Sequence, residues 1–364
     1  MAPRVPGFRS DAAQAIMMVG APATIPPHWL HVLGAPDGCA SLKRRAWKVL
    51  REGQPIEQHL ANTDWMRSWS IAQTVGEPAS GAVKFRLRSN RTQQDCETVV
   101  LFPKQGRRAT ACISSQIGCG VGCLFCATGT MGFQRNLRPE EMLEQVYLAR
   151  CLAQREGRHL RNVVLMGMGE PLHNLEAVCD SIAFMVSDRG FGLRERFVTV
   201  STSGIPSAML ALVRRFPAIR MALSLHTANG SDRRLLMPKA PNDLEVLRET
   251  VRAINRIQAI REEHKDAPEF CAVPVWIEYV LLDGWNDSLL DAERLLSFCK
   301  GLCVEVNLIP LNGTAVGDGK ALAPSPRERQ QEFAAALRRG GITTTIRNSF
   351  GAGENAACGQ LVTY

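Results

Sequence analysis

Residues Cys112–Phe133 read CISSQIGCGVGCLFCATGTMGF, and the rest of the chain falls into place around them. Within this stretch Cys119, Cys123 and Cys126 stand in a C-x-x-x-C-x-x-C spacing, with Gly118, Gly120 and Gly122 beside them and Phe125 against the last cysteine. Glycine relaxes the backbone, so a short loop of this kind can fold around one inorganic object while each sulfur turns inward. A 4Fe-4S cluster ordinarily takes four cysteine ligands. Three would leave one iron open to a substrate. A structural zinc loop is a competing reading, although closed zinc sites want four ligands, usually as two pairs across a long spacer. Buried free thiols packing as small hydrophobes are another.

At 364 residues with 45% hydrophobic content, the chain can bury a core large enough for one catalytic domain plus a small accessory one. Its formal net charge of +8 and pI near 9.0 favour a polyanionic partner, nucleic acid first among them. The 12 cysteines are too sparse for a secreted disulfide scaffold, so a cytoplasmic, reducing location is expected. No stretch approaches the ~18 consecutive apolar residues of a membrane span, and no membrane association is expected. Ala12–Ala23 (AAQAIMMVGAPA), after Arg4 and Arg9, loosely mimics an export signal. Asp11 and Gln14 interrupt that pattern, and a frayed leader is expected instead.

Residues 1–27 are rich in Pro, Gly and Ala and are expected to form a flexible arm. Ser41 reads as the N-cap of a helix over Leu42–Arg51, on which Lys43, Arg44, Arg45, Lys48 and Arg51 make a basic surface or simply a solvated face. Alternation over Val83–Arg88 puts Lys84, Arg86 and Arg88 on one side of a strand and Val83, Phe85 and Leu87 on the other. Such a basic ribbon could track a phosphate backbone. Glu97–Phe102 reads as a neighbouring strand.

Beyond Phe133 short apolar strands alternate with helices. Pro139, Glu140 and Glu141 form a helix first turn, with Met142, Val146 and Ala149 on one face. Asn162–Met166, Phe197–Val200, Ile219–Leu225, Val275–Leu281 and Val304–Ile309 read as buried strands. Ala177–Ser187, Pro206–Arg215, Leu244–Ile260, Leu289–Cys299 and Pro326–Arg339 read as the helices between them. This order predicts an α/β fold: a partial (β/α)6 TIM-like barrel over residues 96–350 with right-handed crossovers, after a small N-terminal accessory domain at 28–95. Barrels place their chemistry at strand C-terminal ends. There the sequence gathers GMGEP at 167–171, STSG at 201–204, Ser224-Leu225-His226 and LN at 311–312. Each taken alone is a turn or a barrel-mouth residue; their convergence on one rim gives them weight.

The three-thiol spacing resembles the radical S-adenosylmethionine (SAM) superfamily. That resemblance implies a 4Fe-4S cluster on Cys119, Cys123 and Cys126, with S-adenosyl-L-methionine chelating the open iron. More narrowly, CISSQIGCGVGCLFCATG, GFQRNL, GMGEPL, STSG, LSLH, EYVLLDGWND, NLIPLN and AACGQL run in order to the C-terminal tail at 351–364 and resemble the RlmN/Cfr family of RNA adenosine methyltransferases. Adenine ring carbons are poor nucleophiles, so direct methyl transfer from a sulfonium is unfavourable and a radical route supplies the missing reactivity.

The resemblance implies that Cys358 takes a methyl from one SAM, becoming S-methylcysteine. A second SAM, cleaved at the reduced cluster, would give a 5′-deoxyadenosyl radical that removes hydrogen from that methyl, and the carbon radical would add to adenine. Cys112 would release the product through a transient disulfide with Cys358, and Glu97 would accept a proton. SAM contacts carry over to Gly169, Glu170, Ser201, Ser224, Leu225, His226 and Asn312. The implied partners are an RNA substrate (23S rRNA, with tRNA as a further candidate), docked in part by residues 28–95, and an electron donor such as flavodoxin or ferredoxin. Gly169-Glu170-Pro171 is similar to the branch that methylates adenine carbon 2. Ala127-Thr128-Gly129 and Ile346–Phe350 lean toward the carbon-8 branch; carbon 2 is the expectation, with a carbon-8 methylase or a paralogue with a different RNA target as the alternative. An RNA-binding protein with a purely structural cluster is the alternative from another class. Cys39, Cys96, Cys151, Cys179, Cys271, Cys299 and Cys303 match no family role and are expected to be packing residues.

Overall fold

The structure, a computed structural model, describes residues 68–188, 190–259, 273–312, 315–317, 320–347 and 360–361. The expected arm at 1–27, the basic helix after Ser41 and Cys358 lie outside the described residues.

Three antiparallel strands, β1 (Trp69–Glu77), β2 (Ala82–Ser89) and β3 (Asp95–Leu101), lead into β4 (Arg108–Cys112). The cysteine loop follows, flanked by the antiparallel pair β5 (Gln116–Gly118) and β6 (Phe133–Asn136) and containing the one-turn helix α1 (Ala127–Thr130). Helices and strands then alternate: α2 (Pro139–Arg155), β7 (His159–Leu165), α3 (Leu175–Val186), β8 (Val198–Thr202), α4 (Pro206–Arg215) and β9 (Arg220–Ser224). After β9 come α5 (Gly230–Leu236), α6 (Leu244–Ala259), β10 (Val275–Leu281), α7 (Leu289–Cys299) and β11 (Val304–Pro310). A hairpin of β12 (Ala315–Gly317) and β13 (Lys320–Leu322), then α8 (Arg327–Arg339) and β14 (Thr344–Ile346), complete the described elements.

One sheet runs in the order β1-β2-β3-β4-β7-β8-β9-β10-β11-β14, and every pairing from β4 to β14 is parallel. This is the expected partial barrel, with β4 and β14 as further parallel-paired strands not anticipated from the sequence. Parallel strands are buried on both faces, which is why Val275–Leu281 is apolar almost throughout. Helix α2 starts where Pro139 occupies the first turn and Glu141 accepts the Arg138 N–H at 2.8 Å. Its Met142, Val146 and Ala149 are fully buried against the sheet, and each larger side chain of this kind contributes about 1.5–3 kcal/mol. No described helix is long and apolar enough to cross a membrane.

Strands β1 and β2 are hydrogen-bonded into the same sheet as the barrel, and residues 95 and 96 are the first of β3. The alternation in β2 holds: Val83, Phe85 and Leu87 enter the main core, and the basic residues share the other face. That face is not a free ribbon. Lys84 is buried and pairs with Glu97 at 3.0 Å, while Arg88 grips Asp95 through both oxygens at 2.7 and 2.9 Å, and Arg86 lies 3.5 Å from the same carboxylate. These ion pairs answer the positive charge expected to meet phosphate.

Candidate active site

The ends of the parallel strands open onto a cavity of about 160 Å³. Cys119, Cys123 and Cys126 line one side of it, with Gly169, Glu170, Ser201, Ser224, His226 and Asn312 around the rest. The cysteine loop is held tight against β6: Cys119 N–H donates to the Gly132 carbonyl at 2.9 Å. Gly118 has φ +70° there, and a Cβ on it would fall on that same carbonyl oxygen. On the far side α5 backs the loop, with Leu124 N–H on the Leu236 carbonyl at 3.0 Å.

Gly169 also needs to be glycine. Its φ is +99° and a Cβ would lie 2.5 Å from the Gln116 Cβ, so this turn brings the backbone directly over β5. The next residue, Glu170, is buried with its carboxylate fixed: Oε1 accepts the Leu172 N–H at 3.0 Å and Oε2 the Ser203 N–H at 2.7 Å. Across the cavity Ser201 Oγ and Ser224 Oγ stand 3.3 Å apart. A fixed anion facing two hydroxyls suits a ligand carrying an ammonium group and several hydrogen-bonding atoms.

His226 is held in a left-handed conformation (φ +58°) because the N–H groups of Leu225 and His226 both reach the Glu278 carbonyl at 3.1 Å. Its Nδ1 accepts the Val280 N–H at 3.1 Å, so Nε2 carries the proton of the neutral ring. Burial first, and then the charge of Arg233, pull this imidazole down to about 3. Phe125 packs edge-on against it, with ring centroids 4.7 Å apart, joining the cysteine loop to the end of β9.

The three thiols fit an iron–sulfur cluster. Burial pushes Cys119 up to about 11; burial and then the neighbouring Cys126 and Cys119 push Cys123 well above the thiol range; burial raises Cys126. Sulfurs so placed ionise together only around a cation, and thiolate is the ligating form. Among the described residues no trio of His, Cys, Asp or Glu closes on a single metal ion. All three cysteines line the same cavity, where one multi-iron core would meet them.

A sequence model of the Radical SAM superfamily matches residues 113–296. A probable dual-specificity RNA methyltransferase RlmN of Thermus thermophilus is 37% identical over 340 residues, covering 92% of this chain and 86% of that one. A probable RNA methyltransferase of Rhodopirellula baltica is 39% identical over 297 residues, 82% of this chain and 74% of its own length. This chain belongs to the RlmN/Cfr family. A crystal structure of a radical SAM methyltransferase from Sphaerobacter thermophilus superposes with a TM-score of 0.79 at 33% identity, over 92% of this chain and 95% of that one. As a radical SAM protein the chain takes a 4Fe-4S cluster and SAM as cofactors.

Leu225 is the one expected SAM contact that does not line the cavity: its side chain is fully buried and its carbonyl accepts from Arg233. Cys112 and Glu97 stand to one side of the cavity. Register pairs Cys112 with Val99 and Val99 with Lys84, so Lys84, Glu97 and Cys112 share one sheet face. Cys112 belongs to a small apolar cluster with Ala82, Val99, Met168 and Leu361. No two described cysteines are bonded to each other.

Ser203 and Glu278, which lie inside the STSG and EYVLLDGWND segments but were not named as site residues, line the cavity together with Met237. Glu278 is a carboxyl in the middle of an apolar strand, which was the available signal. Burial raises it, Arg347 at 2.8 Å opposes that, and Asn307 Nδ2 donates to it at 3.0 Å.

Proposed function

We propose that this radical SAM RNA methyltransferase methylates carbon 2 of an adenosine in 23S rRNA, with Cys358 as methyl carrier, Cys112 as resolving thiol and Glu97 as proton acceptor. The observation that carries the reading is Leu361. It is buried against Cys112 and Met168, and its carbonyl accepts the Thr128 hydroxyl at 2.6 Å. Cys358 lies three positions before it in the chain. A chain of three residues spans at most about 11 Å, which supports a meeting of the two thiols near the barrel mouth.

The cluster with SAM supplies the hydrogen-atom abstraction that a sulfur-bound methyl needs before its carbon can bond to adenine. The protein's own groups do the rest. Glu170, fixed by two backbone N–H groups, would take the ammonium of SAM, while Ser201, Ser224, His226 Nε2–H and Asn312 would bond its remaining polar atoms. Glu97, held by the Lys84 ammonium, would take the proton that leaves the ring carbon, and the unpaired electron of the adduct would leave with it, the oxidised cluster being the one-electron acceptor available at the site. Cys112 as thiolate would then attack the Cys358 sulfur. The S–S bond forms, the C–S bond to the adenine methylene breaks, and the electron pair goes to that carbon, which takes a proton to become the methyl group. Pro171, which follows Glu170 and opens a short 3₁₀ turn, favours the carbon-2 branch.

Anaerobic incubation of the full chain with SAM, a one-electron reductant such as reduced flavodoxin, and unmodified 23S rRNA tests this. Nucleoside mass spectrometry is expected to show 2-methyladenosine. Appearance of 8-methyladenosine instead transfers the chain to the carbon-8 branch. No methylated adenosine in that rRNA overturns the reading.

A further inference from the structure

Arg233, on α5, is the bulkiest side chain that the described fold buries completely. Its guanidinium lies under the floor of the cavity and ties together the ends of two barrel strands. Nε donates to the Pro241 carbonyl at 2.9 Å, Nη1 to the Ser224 carbonyl at 2.9 Å and to that of Leu225, and Nη2 to that of Ser203. Nη1 also lies 3.2 Å from Met237 Sδ, and Met237 lines the cavity together with Cys123 and belongs to the apolar cluster against which that cysteine packs.

Every one of these partners is neutral. Among the described residues no carboxylate pairs with Arg233, whereas other well-buried charges of this fold, such as Glu278 and Lys84, have a counterion. An unneutralised charge away from water is costly, and a staple for carbonyls needs only N–H donors, not a cation. The charge is therefore left over after the structural role is satisfied. It is felt in the cavity wall: Arg233 opposes the burial that raises Cys123 and helps hold His226 neutral.

What would neutralise it is an anion within the cavity, and the three-thiolate cluster is one. Three thiolates outweigh the core charge, so the site is negative when oxidised and more so after one electron arrives from an external low-potential electron-transfer protein. Net charge and hydrogen bonding around an iron–sulfur cluster set its reduction potential. We propose that Arg233 is a positioning residue of the redox step: its uncompensated charge behind Cys123 stabilises the reduced cluster and raises its potential toward that of the donor. The inference rests on the reading of Cys119, Cys123 and Cys126 as cluster ligands.

The test is an EPR-monitored redox titration of the anaerobically reconstituted full chain, with iron content and thermal unfolding measured alongside. Arg233→Met removes the charge and is expected to move the midpoint to a more negative potential. Arg233→Lys keeps the charge without the planar fork and is expected to stay near the wild type, whatever its loss in thermal stability. Should Arg233→Met fail to fold, Arg233→Gln, which keeps an N–H donor, carries the same expectation. Equal midpoints for the wild type and the neutral variants overturn the proposal, and so does a lysine variant that drops as far as they do, because that pattern belongs to packing. A wild-type chain that binds no iron sinks the cluster assignment itself, an outcome distinct from iron-loaded proteins that titrate together.

Discussion

The Thr128 hydroxyl donates a 2.6 Å hydrogen bond to the Leu361 carbonyl, tying the C-terminal segment to the loop that carries the clustered thiols. Both residues are buried, so the bond has no water to replace it. Thr128→Val keeps the shape and removes the donor, at a cost of about 1–2 kcal/mol to tail docking. Methyl transfer to RNA is expected to fall roughly tenfold, in line with that energy. SAM cleavage without RNA, followed by release of 5′-deoxyadenosine, is expected to stay near the wild-type rate. Unchanged methylation in this variant would show that the anchor has no part in delivery.

The two proposed sulfur roles separate cleanly by what each loss leaves behind. Cys358→Ala removes the carrier, so no methyl should reach RNA while SAM cleavage continues. Cys112→Ala leaves the carrier but no resolving thiol, and a protein–RNA adduct that survives a denaturing gel is expected. Multiple turnover by Cys112→Ala would rule out its resolving role, and methylation by Cys358→Ala would rule out the carrier.

Lys84 and Glu97 form a buried pair at 3.0 Å with side chains 10% and 3% exposed. Removing one partner of such a pair strands the other charge and costs about 3–5 kcal/mol. Lys84→Met and Glu97→Gln should therefore each lower the unfolding free energy, and the double variant should recover part of the loss. A denaturant titration of all four proteins reads the coupling. Additive losses would mean that the two groups do not act as a pair.

The barrel was legible because parallel strands carry long apolar runs whatever their neighbours, and Val275–Leu281 matches the observed strand end to end. Side-chain environment on the accessory face was less so. Period-two alternation tells which residues of Val83–Arg88 share a side, but not that this side would be closed by Met168 and Leu361 from elsewhere in the chain. Glu278 finds Arg347 69 residues away, a pairing invisible to local pattern. Arg233 and Arg234 are adjacent and chemically identical, and only the turn of α5 decides that the first is buried and the second exposed. The cysteine spacing and the rim motifs were readable since short loops leave little freedom for where their side chains can go.

The neutral His226 gives the fold a pH dependence whose sign can be worked out. Its folded-state value, about 3, lies below the ordinary 6.5, because burial and the Arg233 charge disfavour the imidazolium. Between those two values the unfolded chain binds a proton that the folded one does not, so stability is fully present above pH 6.5 and is lost as pH falls toward 3. His226→Asn removes the titrating group while tolerating the left-handed backbone at φ +58°. Urea unfolding of the wild type and this variant across that window is expected to show a shallower acid-side loss in the variant, although its stability near neutral pH is lower. Parallel pH curves would mean that the imidazole titrates over the same pH range in the folded and unfolded chains.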